Sequence, residues 1–554
     1  MAPTVSLVLG GLAATYVFLR VLLTLTQDAR EPPAILTDIP FVQPLIGMIR
    51  EKAGFYIRLR DETRLPIYTL RLPFQRIYVV NATELIPVLQ KQWRVVSFAA
   101  IAADAGNVVG ISKEGLEIMK RDLTSEHGFS TSWPRYIMPA MAPGPDLDAI
   151  NRRAIQIYVD EMARLRARAA GEEGQPGKVV VGLWEWTRRM MVDSTTEAVW
   201  GPENPYRDPA VADAWKTFEA GFLTMSMFPL AWLLFPKLHA AREVAARAMI
   251  DYMRRGGYKT ASGLVRRRVE HHGDLFGLSL DDIGRGELGN TFAVLGNTTP
   301  CALWVLYQIV SDDRVLADVR AELEALVEEE VEEEEEGAED GPTPVSSIDL
   351  AQIKESCPVL LSTFQETLRF RAVNPGPRVL LEDVSLDGGR TLLKKGAMLM
   401  IPAPVQHTDT DAWGDDARQF DHRRFAPPSA GDDGGGSSAQ GNDKKRKKPN
   451  RVAFRAFGGG HVLCPGRHFA STEILSLAAL LVLQFDVVPV AGRWVEPTWE
   501  NSPAQAGFPV IDQDIPVELR PRNPRRKWRV VYSGSDKAMN IVAEDISAGG
   551  RGAL

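Results

Sequence analysis

The chain has 554 residues, of which 45% are hydrophobic and 24% charged, and its formal net charge is −7. This length is sufficient for a large buried core, and length alone would favour two to four domains. The mild negative charge argues against a nucleic-acid partner, because phosphates require a basic surface. The three cysteines, Cys301, Cys357 and Cys464, provide no disulfide framework, so the main body is expected in a reducing compartment.

The first apolar segment, Val5 to Leu25, is long enough to cross a membrane. Its 21 residues span about 31 Å as a helix. No lysine or arginine precedes the segment, whereas Arg20 lies near its end and Arg30 follows it. The positive-inside rule therefore places the chain after residue 30 in the cytosol. A cleaved signal peptide is the alternative, but it would have a basic start and a shorter apolar stretch.

The segments that follow predict a hinge and then a mixed region. Residues 31–48 are rich in proline, which indicates a stiff, extended hinge between the anchor (residues 1–30) and the main body. Residues 67–90 predict two strands and then a helix, with Asn81 as its N-cap. Residues 145–320 are mostly helical by their periodicity.

Two low-complexity inserts interrupt the second half of the chain. The insert at about residues 328–345 is acidic, and the one at 429–450 is rich in glycine and serine. The second insert contains five consecutive basic residues, 444–448, which could serve as a nuclear signal or a lipid-surface patch. A solvated loop is the favoured interpretation, because the insert lies inside the main body. Residues 523–554 are predicted to be a basic C-terminal tail.

A glycine-rich loop with one cysteine precedes an apolar helical segment near the C-terminal end, at residues 457–470. Glycines permit tight turns and close approach to a flat ligand. A cysteine at a helix N-terminus faces N–H groups and the positive end of the helix dipole, which favours the thiolate that an iron requires. Since Pro465 cannot donate, Gly466 and Arg467 are the expected donors to the Cys464 sulfur. A buried structural cysteine beside a glycine turn is the alternative.

The spacing of this loop resembles the haem-binding signature of the cytochrome P450 superfamily, Phe-x-x-Gly-x-(basic)-x-Cys-x-Gly. One position departs from it, because Val462 occupies the basic position, although His461 precedes it. The resemblance implies that Cys464 is the axial iron ligand of haem b. It also implies a set of cofactor-binding residues in the same loop: Phe457, Gly458, Gly460, His461 and Gly466.

A second motif, Glu366-Thr367-Leu368-Arg369, places a carboxylate and a guanidinium on one helical face. In an ordinary soluble helix such a pair is a surface ion pair. In the resembled family, a Glu-x-x-Arg helix pairs with an arginine from a Phe-x-Pro-x-Arg-Phe segment. Here that arginine is Arg424, with His422 at the proline position. The resemblance implies a buried structural network of Glu366, Arg369 and Arg424 that fixes the cysteine loop.

Residues 288–310 predict a long apolar helix that is too polar around 297–299 for a second membrane span. Pro300 removes a hydrogen bond to the Gly296 carbonyl and opens the helix beside Asn297 and Thr298. A kinked core helix is the alternative. The family pattern at this place is Ala-Gly-x-(Asp/Glu)-Thr, so Asn297 puts an amide where the acid usually stands. The Gly-Asn-Thr-x-Pro form resembles the subgroup containing sterol 7α- and 12α-hydroxylases and prostacyclin synthase.

The resemblance assigns further roles around the cofactor. Thr298 would hydrogen-bond the bound dioxygen, and Asn297 would hold a water in the proton path. Arg378 would bind a haem propionate, with an exposed strand-edge arginine as the alternative. The family's Trp-x-x-x-Arg partner has no clear counterpart, since Trp133 and Arg135 have the wrong spacing. The apolar stretch 222–232 falls where the family has its access channel, but ordinary core or a membrane-dipping loop would have the same composition.

The resemblance covers residues 39–522 and implies one catalytic domain, residues 49–522, that is mainly α with a small β region. The expected activity is insertion of one oxygen atom from O2 into a lipophilic sterol, terpenoid or polyketide. Because the chain has no flavin or nicotinamide motif, electrons would come from a separate NADPH–cytochrome P450 reductase. A monomer in the endoplasmic reticulum membrane is expected. Two alternatives remain: a haem-thiolate isomerase or dehydratase that needs no external electrons, and a non-catalytic haem or lipid binder.

Overall fold

The computed structural model describes residues 2–169, 177–227, 231–332, 343–427, 450–503, 506–524 and 526–534. Within these ranges the chain is mainly helical with small sheets, as predicted. The central part of the predicted acidic insert, nearly all of the glycine-rich insert and the end of the predicted tail lie outside the described residues.

The first half of the chain is built largely from helices, with an early β-hairpin. Its elements are α1 (Ala2–Thr26), α2 (Gln43–Arg50), α3 (Ala53–Thr63), β1 (Ile67–Leu72), β2 (Gln75–Val80), α4 (Leu85–Lys91), β3 (Val96–Ser97), α5 (Ala99–Val109), α6 (Lys113–Lys120), α7 (Phe129–Met141), α8 (Pro145–Arg168), β4 (Val179–Gly182), α9 (Leu183–Trp200), α10 (Pro209–Met227), α11 (Ala231–Leu234), α12 (Pro236–Arg255) and α13 (Gly263–Val269). A π-helical turn, Glu270–Leu275, follows α13.

The second half mixes buried helices with short strands. Its elements are α14 (Leu280–Leu295), α15 (Thr298–Val310), α16 (Asp313–Glu324), β5 (Glu328–Glu332), β6 (Thr343–Asp349), α17 (Ile353–Ser356), α18 (Pro358–Arg371), β7 (Pro377–Leu380), β8 (Val384–Leu386), β9 (Thr391–Leu393), β10 (Met398–Met400), α19 (Ala403–His407), α20 (Thr410–Trp413), α21 (Arg467–Gln484), β11 (Phe485–Pro489), β12 (Pro516–Pro521) and β13 (Lys527–Val531).

Two helical segments pass a length and hydropathy test for membrane spans, and burial separates them. Leu9–Thr26 in α1 has a mean hydropathy of 1.6 and is only 6% buried. Leu280–Val310 is 72% buried, as the core of a globular body would be. An apolar helix with so little protein around it requires another apolar environment, so α1 has the properties of the predicted membrane anchor.

The largest sheet has the strand order β1-β2-β10-β7-β3. Residues 67–90 form the predicted two strands and helix, with Ile67 paired to Val80 across the hairpin. The predicted N-cap is wrong, since α4 begins after Glu84 without a side-chain cap. Asn81 instead donates from Nδ2 to the Leu65 carbonyl at 2.8 Å, which ties the end of β2 to the start of the hairpin.

A small accessory sheet joins two segments that the sequence analysis placed outside regular structure. Its strand order is β13-β6-β5, with β13 parallel to β6 and β5 antiparallel to it. Arg526 pairs with Glu329 at 2.8 Å across this sheet. The predicted boundary at residue 522 is therefore wrong in this respect, because the chain beyond it contributes a strand. The physical reason is that Trp528 and Val530 alternate along β13 and pack against the main core.

The core is centred on two helices that are buried on nearly every face, α15 and α21. Both are apolar around most of their circumference, which is typical of helices with protein on all sides. They contact one another, and α15 also packs on α9 and α18. Asn297 directly precedes α15 and the cysteine loop directly precedes α21, so the rigid core determines where both lie.

Candidate cofactor and substrate site

The cysteine loop is held in a tight conformation by its own backbone. The Cys464 N–H donates to the Phe457 carbonyl at 2.9 Å, and α21 begins three residues later. Gly458 and Gly460 have φ values of 75° and 60°, in the left-handed region. A Cβ atom on Gly458 would also lie 2.7 Å from the Val462 carbonyl oxygen. The loop therefore requires glycine at residue 458 for both backbone and steric reasons.

The sulfur of Cys464 has an environment that the other two cysteines lack. Burial raises the pKa of the Cys464 thiol, and this is opposed by the Gly466 N–H, the Arg467 charge and the Arg467 N–H. These are the two donors that the sequence indicated. Burial alone raises the pKa of Cys301, and burial with the nearby Glu322 charge raises that of Cys357. Donors that favour the thiolate thus surround Cys464, as a metal-ligating sulfur requires.

The Glu366 network is buried and densely hydrogen-bonded. Arg369 donates twice to the Glu366 carboxylate at 2.7 Å, and Arg424 Nε lies 3.1 Å from both of its oxygens. The Asp421 N–H donates a further bond at 3.0 Å. Arg424 also pairs with Asp416 at 3.1 Å. The structure thus brings the three predicted network residues together inside the protein, away from solvent.

Arg369 extends this network to the backbone of the segment that precedes the cysteine loop. Its Nη1 donates to the carbonyls of His407 and Ala417 at 2.6 Å. The His407 ring in turn accepts from the Arg455 N–H at 2.7 Å, through Nε2. Since Arg455 lies two residues before Phe457, a short chain of hydrogen bonds connects Glu366 to the cysteine loop.

The segment carrying Arg424 lacks the family's proline and is held by side chains instead. His422 Nε2 lies 2.7 Å from the Asp318 carboxylate, and Arg423 reaches the same carboxylate at 2.8 Å. Asp318 belongs to α16, so these contacts fasten the segment to the helical core. Two side-chain contacts thereby restrict the segment where proline would restrict its backbone.

The predicted long helix at residues 288–310 is interrupted beside Asn297 and Thr298, as Pro300 indicated. α14 ends at Leu295 and α15 begins at Thr298, but Gly296 and Asn297 keep right-handed helical backbone angles, so the interruption is a local break within one helical segment. The Gly296 N–H bonds to the Phe292 carbonyl at 2.9 Å, and the Cys301 N–H bonds to the Asn297 carbonyl at 3.1 Å. Pro300 has no N–H to donate to the Gly296 carbonyl, which accounts for the break.

Thr298 and Asn297 stand at this break and differ in their hydrogen bonding. The Thr298 side chain is buried, and its hydroxyl forms no hydrogen bond with any described residue. Asn297 is exposed, and its Oδ1 accepts from the Gly507 N–H at 3.1 Å. The contact with Gly507 could not be anticipated, because 210 residues separate the two positions.

A cavity of about 2040 Å³ brings the predicted site residues together. Its lining includes Phe457, Gly458, His461, Cys464, Gly466, Asn297, Thr298 and Arg378. The apolar stretch predicted at 222–232 contributes Phe222 and Leu223 to the lining, while residues 228–230 of that stretch lie outside the described chain. Phe222 stacks on Phe292 of α14 with ring centroids 4.0 Å apart.

Arg378 is buried in β7, which excludes the exposed strand-edge alternative. Burial, together with the nearby Arg455 charge, lowers the pKa of Arg378 to about 9. Its guanidinium donates to the Pro377 carbonyl at 2.6 Å and lies over the Phe98 ring. No carboxylate among the described residues pairs with it. A buried cation that lines a cavity without an anionic partner suits a ligand that carries a carboxylate.

Two contacts around the cysteine loop were missed by sequence reasoning. Arg455 lies near Gly459 and faces Arg378, and no motif singled it out; its position two residues before Phe457 was the available signal. The His461 ring stacks on Trp93 with centroids 4.4 Å apart. A pairing between residues so far apart in sequence leaves no local pattern.

Comparison with known proteins agrees with this geometry. The family model described as cytochrome P450 matches residues 33–510. The cytochrome P450 monooxygenase nodJ of Hypoxylon pulicicidum is 31% identical over 93% of this chain and 95% of its own length. Cytochrome P450 7A1 of Sus scrofa is 24% identical over 67% of this chain and 72% of its own. Prostacyclin synthase of Bos taurus is 25% identical over 45% of this chain and 48% of its own.

The chain belongs to the cytochrome P450 family. It is a cytochrome P450 monooxygenase, and the family implies a haem held by a cysteine thiolate. The residues present fit that group, because a sulfur with two N–H donors lines the same cavity as a buried arginine that has no carboxylate partner in the described part of the chain. The predicted family, fold and enzyme class are thereby confirmed.

Proposed function

We propose that the chain inserts one oxygen atom from O2 into a lipophilic substrate, with haem b in the cavity and Cys464 as its iron ligand. The observation that supports this most is the meeting of the Cys464 loop and the break before Thr298 in one cavity. When bound, thiolate-ligated haem supplies the oxidising power that C–H attack requires.

In this proposal the protein's residues hold the cofactor and handle protons. The Gly466 and Arg467 N–H groups stabilise the charge on the Cys464 sulfur. The Arg378 guanidinium would donate to a propionate of the cofactor. The loop residues Phe457, Gly458 and His461 line the cavity and would contact the cofactor. Gly460 is not part of the cavity lining, and its left-handed backbone shapes the loop. Thr298 would hold a proton at Oγ1, and its hydroxyl is available for this because it has no partner among the described residues.

The substrate is proposed to be a sterol, terpenoid or polyketide in secondary or sterol metabolism. Apolar side chains from α10 and α14, among them Phe222 and Phe292, line the cavity and favour a large lipophilic molecule. We further propose that α1 anchors a monomer to the endoplasmic reticulum with its catalytic body in the cytosol. Electrons would come from NADPH–cytochrome P450 reductase.

The test is expression of the full chain with a membrane-bound reductase, followed by untargeted analysis of oxygenated lipids. We expect products that require both NADPH and O2 and that carry one atom from labelled O2. The matched control is Cys464→Ser in the same membranes. Products that form equally in the control, or without O2, would refute the monooxygenase proposal.

A second candidate is an isomerase or dehydratase that acts on an already oxygenated substrate. Two observations favour considering it: the amide of Asn297 at the position where the family usually has an acid, and the similarity to prostacyclin synthase. An amide does not titrate and so cannot itself release a proton. Turnover by the wild-type protein without reductase and NADPH would establish this candidate in place of the first. The third possibility, a non-catalytic haem or lipid binder, predicts no turnover with any reductase.

A further inference from the structure

Both backbone groups of Gly507, its N–H and its carbonyl, form hydrogen bonds with residues that are distant in sequence. Its N–H donates to the Asn297 side chain at 3.1 Å, at the break between α14 and α15. Its carbonyl accepts from the Val373 N–H at 2.8 Å, just beyond α18. The Pro509 carbonyl accepts from Trp304 Nε1 at 2.8 Å. Three hydrogen bonds thus attach residues 506–512 to the rigid core. Of these three, the bond to Asn297 is the one that reaches the break between α14 and α15.

The fit between Asn297 and Gly507 leaves no room for a side chain. A Cβ atom on Gly507 would lie 2.3 Å from Asn297 Oδ1 and 2.9 Å from its Cγ. Gly507 is absent from the residues with positive φ, so its backbone would accept alanine without strain. The contact with Asn297, and not the backbone conformation, therefore accounts for glycine at this position.

The fastened segment forms part of the cavity wall. Gly507, Phe508, Val510 and Ile511 all line the cavity, as does Asn297. A displacement of Gly507 would carry the Phe508 ring with it and alter the space available to a large ligand. One amide thus connects the break in the distal helices to a wall formed by the C-terminal part of the chain.

We propose that Asn297 is a positioning residue: its side-chain amide and Gly507 form a latch that holds residues 506–512 against the distal helix break and so sets the shape of the substrate cavity. The proposal rests on the proposed function only in taking the cavity as the substrate site. It gives Asn297 a different role from the proton-path water expected from the sequence, because Oδ1 already accepts from a backbone N–H.

The first test measures the latch without any ligand or turnover, as hydrogen–deuterium exchange of the Gly507 amide by fragment-resolved mass spectrometry. Asn297→Ala removes the acceptor and should speed this exchange by about tenfold, whereas Asn297→Asp keeps an acceptor oxygen and should not. Asn290→Ala is the matched control, because Asn290 is another cavity-lining amide but bonds to Glu287. Equal exchange in wild type and Asn297→Ala would overturn the proposal.

The second test separates cavity shape from general stability with two haem ligands, imidazole and the bulky azole clotrimazole. Gly507→Ala and Asn297→Ala should each weaken clotrimazole binding by about three- to tenfold and leave imidazole binding unchanged. In the double variant the added methyl fits the vacated space, so its affinity should be no lower than that of Asn297→Ala. Additive losses, or equal losses for both ligands, would overturn the latch.

Failure of the latch and failure of the proposed function give different results. A protein that binds haem but forms no oxygenated product would count against the proposed function and leave the exchange result intact. If Gly507→Ala does not fold, the exchange comparison between Asn297→Ala and Asn297→Asp still decides the question.

Discussion

The two sides of the cavity differ in whether their buried polar groups have hydrogen-bonding partners. On the cysteine side, Glu366, Arg369 and Arg424 are buried and fully engaged with one another and with backbone carbonyls. On the distal side, the buried Thr298 hydroxyl has no partner among the described residues. Both regions are buried, so exposure does not explain the difference.

The contrast shows which groups build the site and which receive ligands. A buried polar group without a partner is costly, and a folded protein retains one where a ligand or a reaction makes use of it. A fully satisfied network resists change and fixes geometry. The paired side therefore positions the cysteine loop, and the unpaired side is where chemistry is expected. Five predictions test this division.

The largest effect should come from Cys464→Ser, which removes the sulfur carried by the loop that the paired network positions. We expect complete loss of the thiolate absorption band of the reduced, CO-bound protein. Cys301→Ser and Cys357→Ser are matched controls and should keep the band, because burial raises the pKa of both thiols and, at Cys357, the Glu322 charge raises it further. A band that survives in Cys464→Ser would refute the assignment.

Glu366→Ala tests whether the paired network is structural. Removing one partner of a buried ion pair leaves uncompensated charge and costs about 3–5 kcal/mol. We expect loss of haem incorporation, measured as haem per protein after purification. The control is Glu51→Ala, which breaks a half-exposed pair with Arg58 and should cost about 1 kcal/mol or less. A haem-replete Glu366→Ala protein with merely slower turnover would contradict the division.

Thr298→Ala tests the unpaired side. The variant should keep haem and NADPH consumption but release more peroxide and form less product, since a hydroxyl that holds a proton near the reacting oxygen is gone. NADPH, peroxide and product are counted together with saturating reductase. Thr298→Ser retains the hydroxyl and should restore the wild-type partition. If Thr298→Ala divides the consumed NADPH between product and peroxide as the wild type does, the proton is not supplied through Thr298.

Deletion of residues 1–30 should leave both sides of the cavity intact, because α1 lies outside the core. We expect an unchanged CO-bound spectrum and weaker membrane attachment, measured by carbonate extraction. Some peripheral binding should persist, because exposed apolar residues such as Leu45, Ile46 and Phe74 remain on the surface of the body. Extraction of the full-length protein by carbonate would exclude a spanning anchor.

The paired side was largely predictable from the sequence, because its parts are short motifs with fixed spacing. Glu366 and Arg369 are one helical turn apart, and the cysteine loop combines glycines, a cysteine and a helix start within ten residues. Local patterns of this kind reflect local geometry. The hairpin at 67–80 was predictable for the same reason, since strand alternation is also local.

The distal side was predicted less well, because its decisive contacts join distant residues. Pro300 made the break beside Asn297 predictable, but the residues that contact Asn297 and Thr298 there were not predictable from the sequence. The bond from Gly507 to Asn297 and the stacking of Trp93 on His461 leave no local trace. The strand at 527–531 was missed because its partner, β6, lies about 180 residues earlier.

The last prediction concerns Glu473, an exception on the paired side. This carboxyl is buried in α21, accepts from Thr195 at 2.9 Å, and its Oε2 has no partner among the described residues. Burial raises its pKa to about 8, opposed by Thr195 and Ser194, so the folded protein holds this proton at pH values where the unfolded chain releases it.

The stability that this proton contributes is complete below the unfolded pKa of about 4.3 and declines as pH rises towards 8. Glu473→Gln keeps the shape and cannot ionise, so its stability relative to wild type should improve steadily between pH 5 and pH 8. Urea unfolding across that range measures the difference. Glu117→Gln, at an exposed position, should show no such trend. If the difference in unfolding free energy between Glu473→Gln and wild type does not change with pH, the ionised Glu473 carboxylate must have a partner. The cysteine side would then be paired at this residue as well.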